Sequence, residues 1–530
     1  MGALSFRRLQ NFWRGKGRLA LFSAALALRA PARRGARPVI FFHASTRLDE
    51  LSLNAAFSLL AAWAVRLSGT PVVHFVCRAG MSRCVLGADP DRPDSPPPCR
   101  LCVRQSAFQA VGAPTRFFDY QPDSDLAARL ESLSVDELAE VTHAGLPLGA
   151  LVLPSVRWRL RRHHLPDDEP TRFLFRQFLL SAWNVARRFE RLLDETNPQA
   201  VVVFNGQFFP EATAAFLARR RGVRTVTHEV GLRPLSAYFT LGEATAYPIA
   251  IPASFDLNEA QNARLDAYLE ERFQGRFTMA GIQFWPEMRG LDAAFLQKAA
   301  AFRQIVPVFT NVIFDTSQPH SNVLFPDMFA WLDLTLEVIR AHPETLFVIR
   351  AHPDETRPGK SSRESVADWV AARQATALPN LVFIPSDQYL SSYELIQRSK
   401  FVMIYNSTIG LEASILGAAV LCAGRARFTQ YPTVFFPADV EEYRRTLEAF
   451  LRAEHLTPPA EHRRHARRFL YYQLFRTSLP CDDFLTPSGQ RGYVHLKADA
   501  LARLSLAHPT LQTMVDGILH DGDFLLKESL

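Results

Sequence analysis

The sequence predicts an α/β protein: two doubly wound domains with helical insertions and a C-terminal helical tail. Three observations predict it. A chain of 530 residues exceeds what one ordinary core organises, so two domains plus appendages are expected. Val39 to Phe42 is an apolar run, a helical stretch follows from about Leu51 to Leu67, and Val72 to Val76 is apolar again. Strand, helix and strand at this spacing make a parallel crossover unit. Far down the chain, Lys400 to Gly424 repeats the pattern. Phe401 to Tyr405 reads as a buried strand, and Asn406, Ser407 and Thr408 as helix-capping residues. Leu411, Ile415 and Leu416 form a helix face stopped by Gly417, and Ala419 to Cys422 starts the next strand.

Composition narrows the class. At 48% hydrophobic and 21% charged residues, with no apolar run near the roughly 20 residues of a spanning helix, the chain reads as a globular protein. The net charge of +7 is carried mostly by arginine, which suits phosphorylated ligands or an anionic membrane face and does not call for nucleic acid. Residues 1–37 form a separate basic segment. The apolar stretch Leu19 to Leu28 has arginines on both sides and no small-residue cleavage site after it, so it reads either as an interfacial amphipathic helix or as a helix packed on the protein itself. Six cysteines in so long a chain do not make a disulfide scaffold. A cytoplasmic location is expected, with the basic N-terminus able to hold the protein at the inner face of the membrane.

The first α/β domain is expected over 38–290. Its first strand ends in His43-Ala44-Ser45-Thr46-Arg47, where His43 and Arg47 are candidates on the acceptor side and Asp49 follows. A cysteine-containing insertion comes next, with Cys77, Cys84, Cys99 and Cys102. The C-x-x-C pair lets two thiolates face one metal, and Cys84 with Cys77 or His74 completes a tetrahedral set. A structural zinc is one reading; free thiols or a redox pair are the others. From Leu126 to Arg191 the chain is helical and arginine-rich. The α/β pattern returns at Ala200, with strands ending at Asn205-Gly206 and at His228-Glu229. Asn205, Gly206 and Glu229 thus lie past the carboxyl ends of parallel strands, where open α/β sheets take ligands. Residues 257–304 read as a helical linker, with the domain boundary near 285–305.

The second domain, 300–455, contains its own control. Arg340-Ala341-His342-Pro343 and Arg350-Ala351-His352-Pro353 are nearly the same segment. The first closes an amphipathic helix, whereas the second follows the strand Leu346 to Ile349 and opens at the ligand edge of the sheet. Arg350 and His352 are there able to donate to phosphate or carboxylate, with Pro353 shaping the turn. Ser407 and Thr408 begin a helix whose free N–H groups favour an anion. Residues 456–530 form a helical tail expected to pack back on the first domain.

Two such domains describe the GT-B architecture, a pair of Rossmann-like folds. F-T-N-V-I-F-D-T-S (309–317), I-R-A-H-P-D-E (349–355) and Y-N-S-T-I-G-L-E-A (405–413) resemble the capsule polysaccharide biosynthesis family, which includes Kdo transferases; N-G (205–206) and E-V-G-L-R-P (229–234) are similar to that family's first-domain motifs. The resemblance implies a bacterial glycosyltransferase that moves a sugar from a nucleotide sugar, a CMP-activated acidic sugar such as Kdo, onto a cell-surface polysaccharide or lipid-linked precursor. It implies His352 and Pro353 at the nucleotide phosphate, with Asn406, Ser407, Thr408 and Gly410 around the same anion and Glu412 on the ribose hydroxyls. Transfer needs no metal cofactor if Arg350, His352 and the helix N-terminus neutralise the leaving phosphate. A carboxylate must act on the acceptor side or as nucleophile; Glu229 is the first candidate and Asp315 the second. The alternatives are a sugar-nucleotide epimerase of the same shape and a non-catalytic member of a polysaccharide assembly complex.

Overall fold

In the computed structural model, the chain is described over residues 13–43, 50–274, 289–388 and 390–528. The first sheet contains β1 (Val39–His43), β2 (Val72–Cys77), β3 (Thr115–Phe118), β4 (Ala200–Phe204), β5 (Arg224–Val230) and β6 (Ser236–Thr240). Its order is β6-β5-β4-β1-β2-β3, with β1 to β5 parallel and β6 antiparallel to β5. The second sheet, entirely parallel, contains β7 (Gln304–Phe309), β8 (Thr345–Arg350), β9 (Leu381–Ile384), β10 (Val402–Ile404) and β11 (Val420–Cys422) in the order β11-β10-β7-β8-β9. Val, Ile and Phe fill β1, β4, β7 and β8 because helices cover both faces of a parallel sheet.

Each sheet runs outward through three strands and returns beside its first. The order reverses between β1 and β4 in one domain and between β7 and β10 in the other. These are the topological switch points at which α/β sheets open a crevice.

The tail rejoins the first domain. β12 (Leu479–Pro480) pairs with β6, and the helix Pro509–Leu519 packs with the helix Leu53–Leu67 in one core. Other segments depart from the expected divisions. The helix Glu259–Phe273, expected as linker, packs on the second domain: Leu265 and Leu269 join the core of Ile404 and Leu411. Its apolar stripe needs cover, and the second domain supplies it. The N-terminal helix Arg18–Arg29 likewise buries Leu19, Phe22 and Leu26 against the first domain beside Trp63. Part of its apolar face is thus covered by the protein itself, while Leu21 and Leu28 of the same helix stay exposed. No helix among the described residues is long and apolar enough to cross a membrane.

Candidate functional site

The second switch point opens into a cleft of about 650 Å³ between the domains. Its floor is built by the residues that leave β7 and β10. Asn311 Nδ2 donates to Asn406 Oδ1 at 2.6 Å, directly bridging the point where the strand order reverses, and Asn406 Nδ2 donates to Ser321 Oγ at 2.6 Å. Both Asn406 and Ser407 are 8% exposed. Ser407 and Thr408 line the cleft ahead of the short helix Ile409–Ile415. Their hydroxyls do not cap that helix, contrary to the capping expectation. Thr408 already has helical backbone angles, which point its side chain away from the N–H groups ahead.

His352 follows β8 on the same edge and lines the cleft. Its Nδ1 accepts from the Asp354 N–H at 3.1 Å at the start of the 3-10 turn Pro353–Thr356, so a neutral ring carries its proton on Nε2. Burial lowers its pKa below the usual histidine value. His342, its near-duplicate, sits between Glu344 and Glu448 at 3.1 Å from each, at the end of the helix Met328–Ala341 and outside the cleft lining. Asp315 is exposed in the cleft, with Oδ2 accepting from Ser317 Oγ at 2.6 Å. Four cations not singled out in the sequence also line it: Arg357, Lys360, Arg425 and Arg427. Arg425 and Arg427 follow β11, so the strand-end rule that found His352 applies to them as well. Across the cleft, His320 Nε2 lies 2.9 Å from Thr245 Oγ1 and 3.2 Å from Glu243 Oε2, linking the domains.

Several expected site residues lie elsewhere. Glu412 is 4% exposed, inside the second domain; its Oε1 pairs with Arg272 at 2.5 Å and its Oε2 accepts from the Tyr393 hydroxyl. It does not line the cleft, which corrects its assignment to ribose: a buried carboxylate requires a partner, and the helix Glu259–Phe273 delivers one. Gly410 is a packing residue, because a Cβ there would meet Ile404 Cδ1 at 2.2 Å. Arg350 is 3% exposed and does not line the cleft; burial pushes its pKa down to about 10. Pro353 starts the 3-10 turn and shapes the loop without lining the cleft.

On the first domain, Asn205 and Glu229 are brought together, with Asn205 Nδ2 donating to Glu229 Oε2 at 2.9 Å. Asn205 and Gly206 end β4 with φ of 59° and 81°, a left-handed pair that asparagine and glycine tolerate. Asn205 Oδ1 then accepts from the Gln207 N–H at 2.9 Å and fixes the turn. Glu229 Oε1 accepts from the Val230 N–H at 2.9 Å. None of the three lines the cleft. His43 is also remote from it: buried at the end of β1, it bonds His74 Nδ1 through Nε2 at 3.0 Å, and burial pushes its pKa down to about 4. Arg47 and Asp49 lie outside the described residues.

Cys77, Cys84, Cys99 and Cys102 line one cavity of about 20 Å³. The Gly80 N–H donates to Cys77 Sγ at 3.3 Å and the Gly87 N–H to Cys84 Sγ at 3.2 Å. None of the four is in a disulfide, and burial pushes Cys84 up to about 12. His74, the alternative fourth ligand, is engaged with His43.

Residues 289–431 match the family model described as capsule polysaccharide biosynthesis protein. This covers the cleft-lining motifs at 309–317, 349–355 and 405–413, and stops short of Asn205 and Glu229. No curated protein matches the chain. Among solved structures, it is similar to the beta Kdo 2,4 transferase KpsC of Thermosulfurimonas dismutans, at 12% identity over 58% of this chain and 87% of that one, with a TM-score of 0.35. The beta Kdo 2,7 transferase KpsC of the same organism gives 14% identity, 60% and 88% coverage and a TM-score of 0.32. UDP-GlcNAc 2-epimerase from Neisseria meningitidis gives 12% identity, 82% and 98% coverage and a TM-score of 0.22. Scores and identities this low make none of the three a guide to chemistry.

Proposed function

We propose that the chain is a glycosyltransferase of capsule-type polysaccharide synthesis. It takes a sugar from a nucleotide-activated donor, with a CMP-activated acidic sugar favoured, and passes it to a glycan or lipid-linked acceptor. One observation carries the reading: at the second switch point, Asn406, Ser407, Thr408 and His352 share one cleft with four cations, within the segment that matches the family model. The volume suits a nucleotide sugar. A departing nucleotide phosphate gains negative charge, and arginine, lysine and imidazole N–H donors around it lower the barrier.

Asp315 is the preferred carboxylate. It stands exposed in the cleft, whereas Glu229 is held by Asn205 away from the lining. Asp315 serves either as general base on the acceptor hydroxyl or as nucleophile in a two-step route. A structural zinc at Cys77, Cys84, Cys99 and Cys102 is a separate proposal: the four line one cavity, while no three of their Sγ atoms lie within 4.8 Å of one another, so a metal would have to draw them together. Metal content of the protein and of Cys99→Ser tests it.

The reading is tested by thermal shift with CMP, UDP and GDP. CMP is expected to stabilise most, and stabilisation by none of the three sinks the proposal. His352→Ala is expected to weaken nucleotide binding by about 10- to 100-fold, the equivalent of a charge-assisted hydrogen bond, with the melting temperature of the free protein nearly unchanged.

A further inference from the structure

We propose that His163, His164 and Asp327 form a binding site for a divalent transition metal of the zinc class, at the seam between the domains. Their ligand atoms all lie within 4.8 Å of one another, the sole such group of three among the described residues. The histidines come from the turn that follows the helix Leu148–Leu160 of the first domain, and Asp327 precedes the helix Met328–Ala341 of the second. A metal held here therefore ties one domain to the other. This inference does not depend on the transferase reading.

The commitment of each atom selects the ligands. Asp327 Oδ1 accepts from the Phe329 and Ala330 N–H groups at 2.7 and 3.1 Å, capping its helix, so Oδ2 remains to face His164. His164 Nε2 lies 3.2 Å from that Oδ2. Zinc holds nitrogen and oxygen ligands at about 2.0–2.2 Å, which puts neighbouring ligands of a tetrahedron about 3.3 Å apart. The other ring nitrogen, Nδ1, is bonded to Glu364 Oε1. A carboxylate on the far nitrogen is the arrangement that orients a metal-bound imidazole and raises its basicity. Glu364 is fixed in turn, since its Oε2 accepts from the His163 and His164 N–H groups at 2.8 and 3.1 Å.

The third ligand is the His163 ring, 7% exposed, whose nitrogens make no hydrogen bond among the described residues. The rings of His163 and His164 meet edge to face at 5.0 Å between centroids. Two imidazoles and one carboxylate suit zinc, cobalt or nickel better than magnesium or calcium. Arg157 contributes one opposing positive charge, which the carboxylates of Asp327 and Glu364 outnumber. His164 is half exposed, leaving solvent access for a fourth ligand. The competing description is a proton in place of the metal, with His164 as an imidazolium between Asp327 and Glu364.

The test is titration of chelator-treated full-length protein with Co²⁺ and Zn²⁺, followed by calorimetry and by the cobalt absorption spectrum. In the Cys99→Ser background, which removes the thiolate site, one equivalent is expected to bind, with ligand-field bands of a nitrogen–oxygen site. His164→Gln and His163→Gln should each abolish that binding, as should Asp327→Asn, which keeps the cap oxygen; circular dichroism checks that each variant is folded. Glu364→Gln should lower the affinity about 10- to 100-fold. The proposal is overturned if cobalt does not bind, or if the affinity survives all three ligand substitutions. It is equally overturned if Cys99→Ser abolishes all cobalt binding, which locates the metal at the cysteines.

Discussion

Between β1 and β4 the first sheet closes over a cavity of about 40 Å³, whereas between β7 and β10 the second opens into a cleft of about 650 Å³, although both domains wind five parallel strands in the same order. Side-chain size accounts for much of the contrast. Phe42, Phe204, Phe208 and Met81 fill the first position, while Asn311, Asn406, Ser407 and Thr408 line the second. Charge follows the same division. In the first position burial pushes His43 down to about 4 and His228 to about 3, and raises Glu211 to about 8, so all three are neutral at pH 7. The second position gathers Arg357, Lys360, Arg425 and Arg427. Topology thus supplies an address for a ligand twice, and the side chains at the strand ends decide which address is used.

The largest test of this contrast is on turnover. With the nucleotide sugar selected by thermal shift as substrate, Asp315→Asn is expected to lower kcat by about 10²- to 10⁴-fold, the range for loss of a positioned acid–base group. Full turnover in that variant would remove the cleft carboxylate from the mechanism. Next comes Glu412→Ala, which removes the carboxylate paired with a buried arginine and is expected to cost about 3–5 kcal/mol of stability in denaturant unfolding. A change confined to nucleotide affinity would return Glu412 to the binding site.

The first switch point offers the smaller effects. His228 packs against Phe204 and Phe239 at 5.7 and 5.1 Å between ring centroids, and neither of its nitrogens has a hydrogen-bond partner among the described residues. His228→Phe should raise stability by about 1–3 kcal/mol, because an unsatisfied buried polar group is removed. A loss of stability or activity would reveal a role that the second domain alone does not supply. Glu211 sharpens the same point through pH. Its folded pKa of about 8 lies above the ordinary 4.5, so from pH 4.5 to 8 the folded state holds a proton that the unfolded state has lost. Stability contributed in this way falls as pH rises, by at most about 1.4 kcal/mol per unit. Glu211→Gln should flatten that part of the melting-temperature profile, and an unchanged slope would count against the assignment.

Much of this arrangement was legible because a parallel strand announces itself as an apolar run and its carboxyl end as the next polar residues. His352, Asn406, Ser407, Thr408 and Asp315 follow from that rule, and the repeated His-Pro segment separates His352 from His342. Arg425 and Arg427 obey the same rule after Cys422, but no motif marks them. Glu412 could not be read. Its partner Arg272 is 140 residues away, and a helix face says nothing about which distant charge will cover it. Glu229 shows the same gap in another form: the strand end gives its position, while the Asn205 turn decides where its carboxylate points.

The return of the tail to β6 has a mechanical meaning. The chain passes between the domains after β6 and returns through the π-helix Tyr472–Arg476, which leads from the helix Ala460–Tyr471 in the second core to β12 in the first sheet. Two covalent crossings constrain relative movement as two pins constrain a door, leaving rotation about the line that joins them as the easy motion. Opening and closing of the cleft would then follow one axis, with the His164 seam and the His320 contact setting how far it swings.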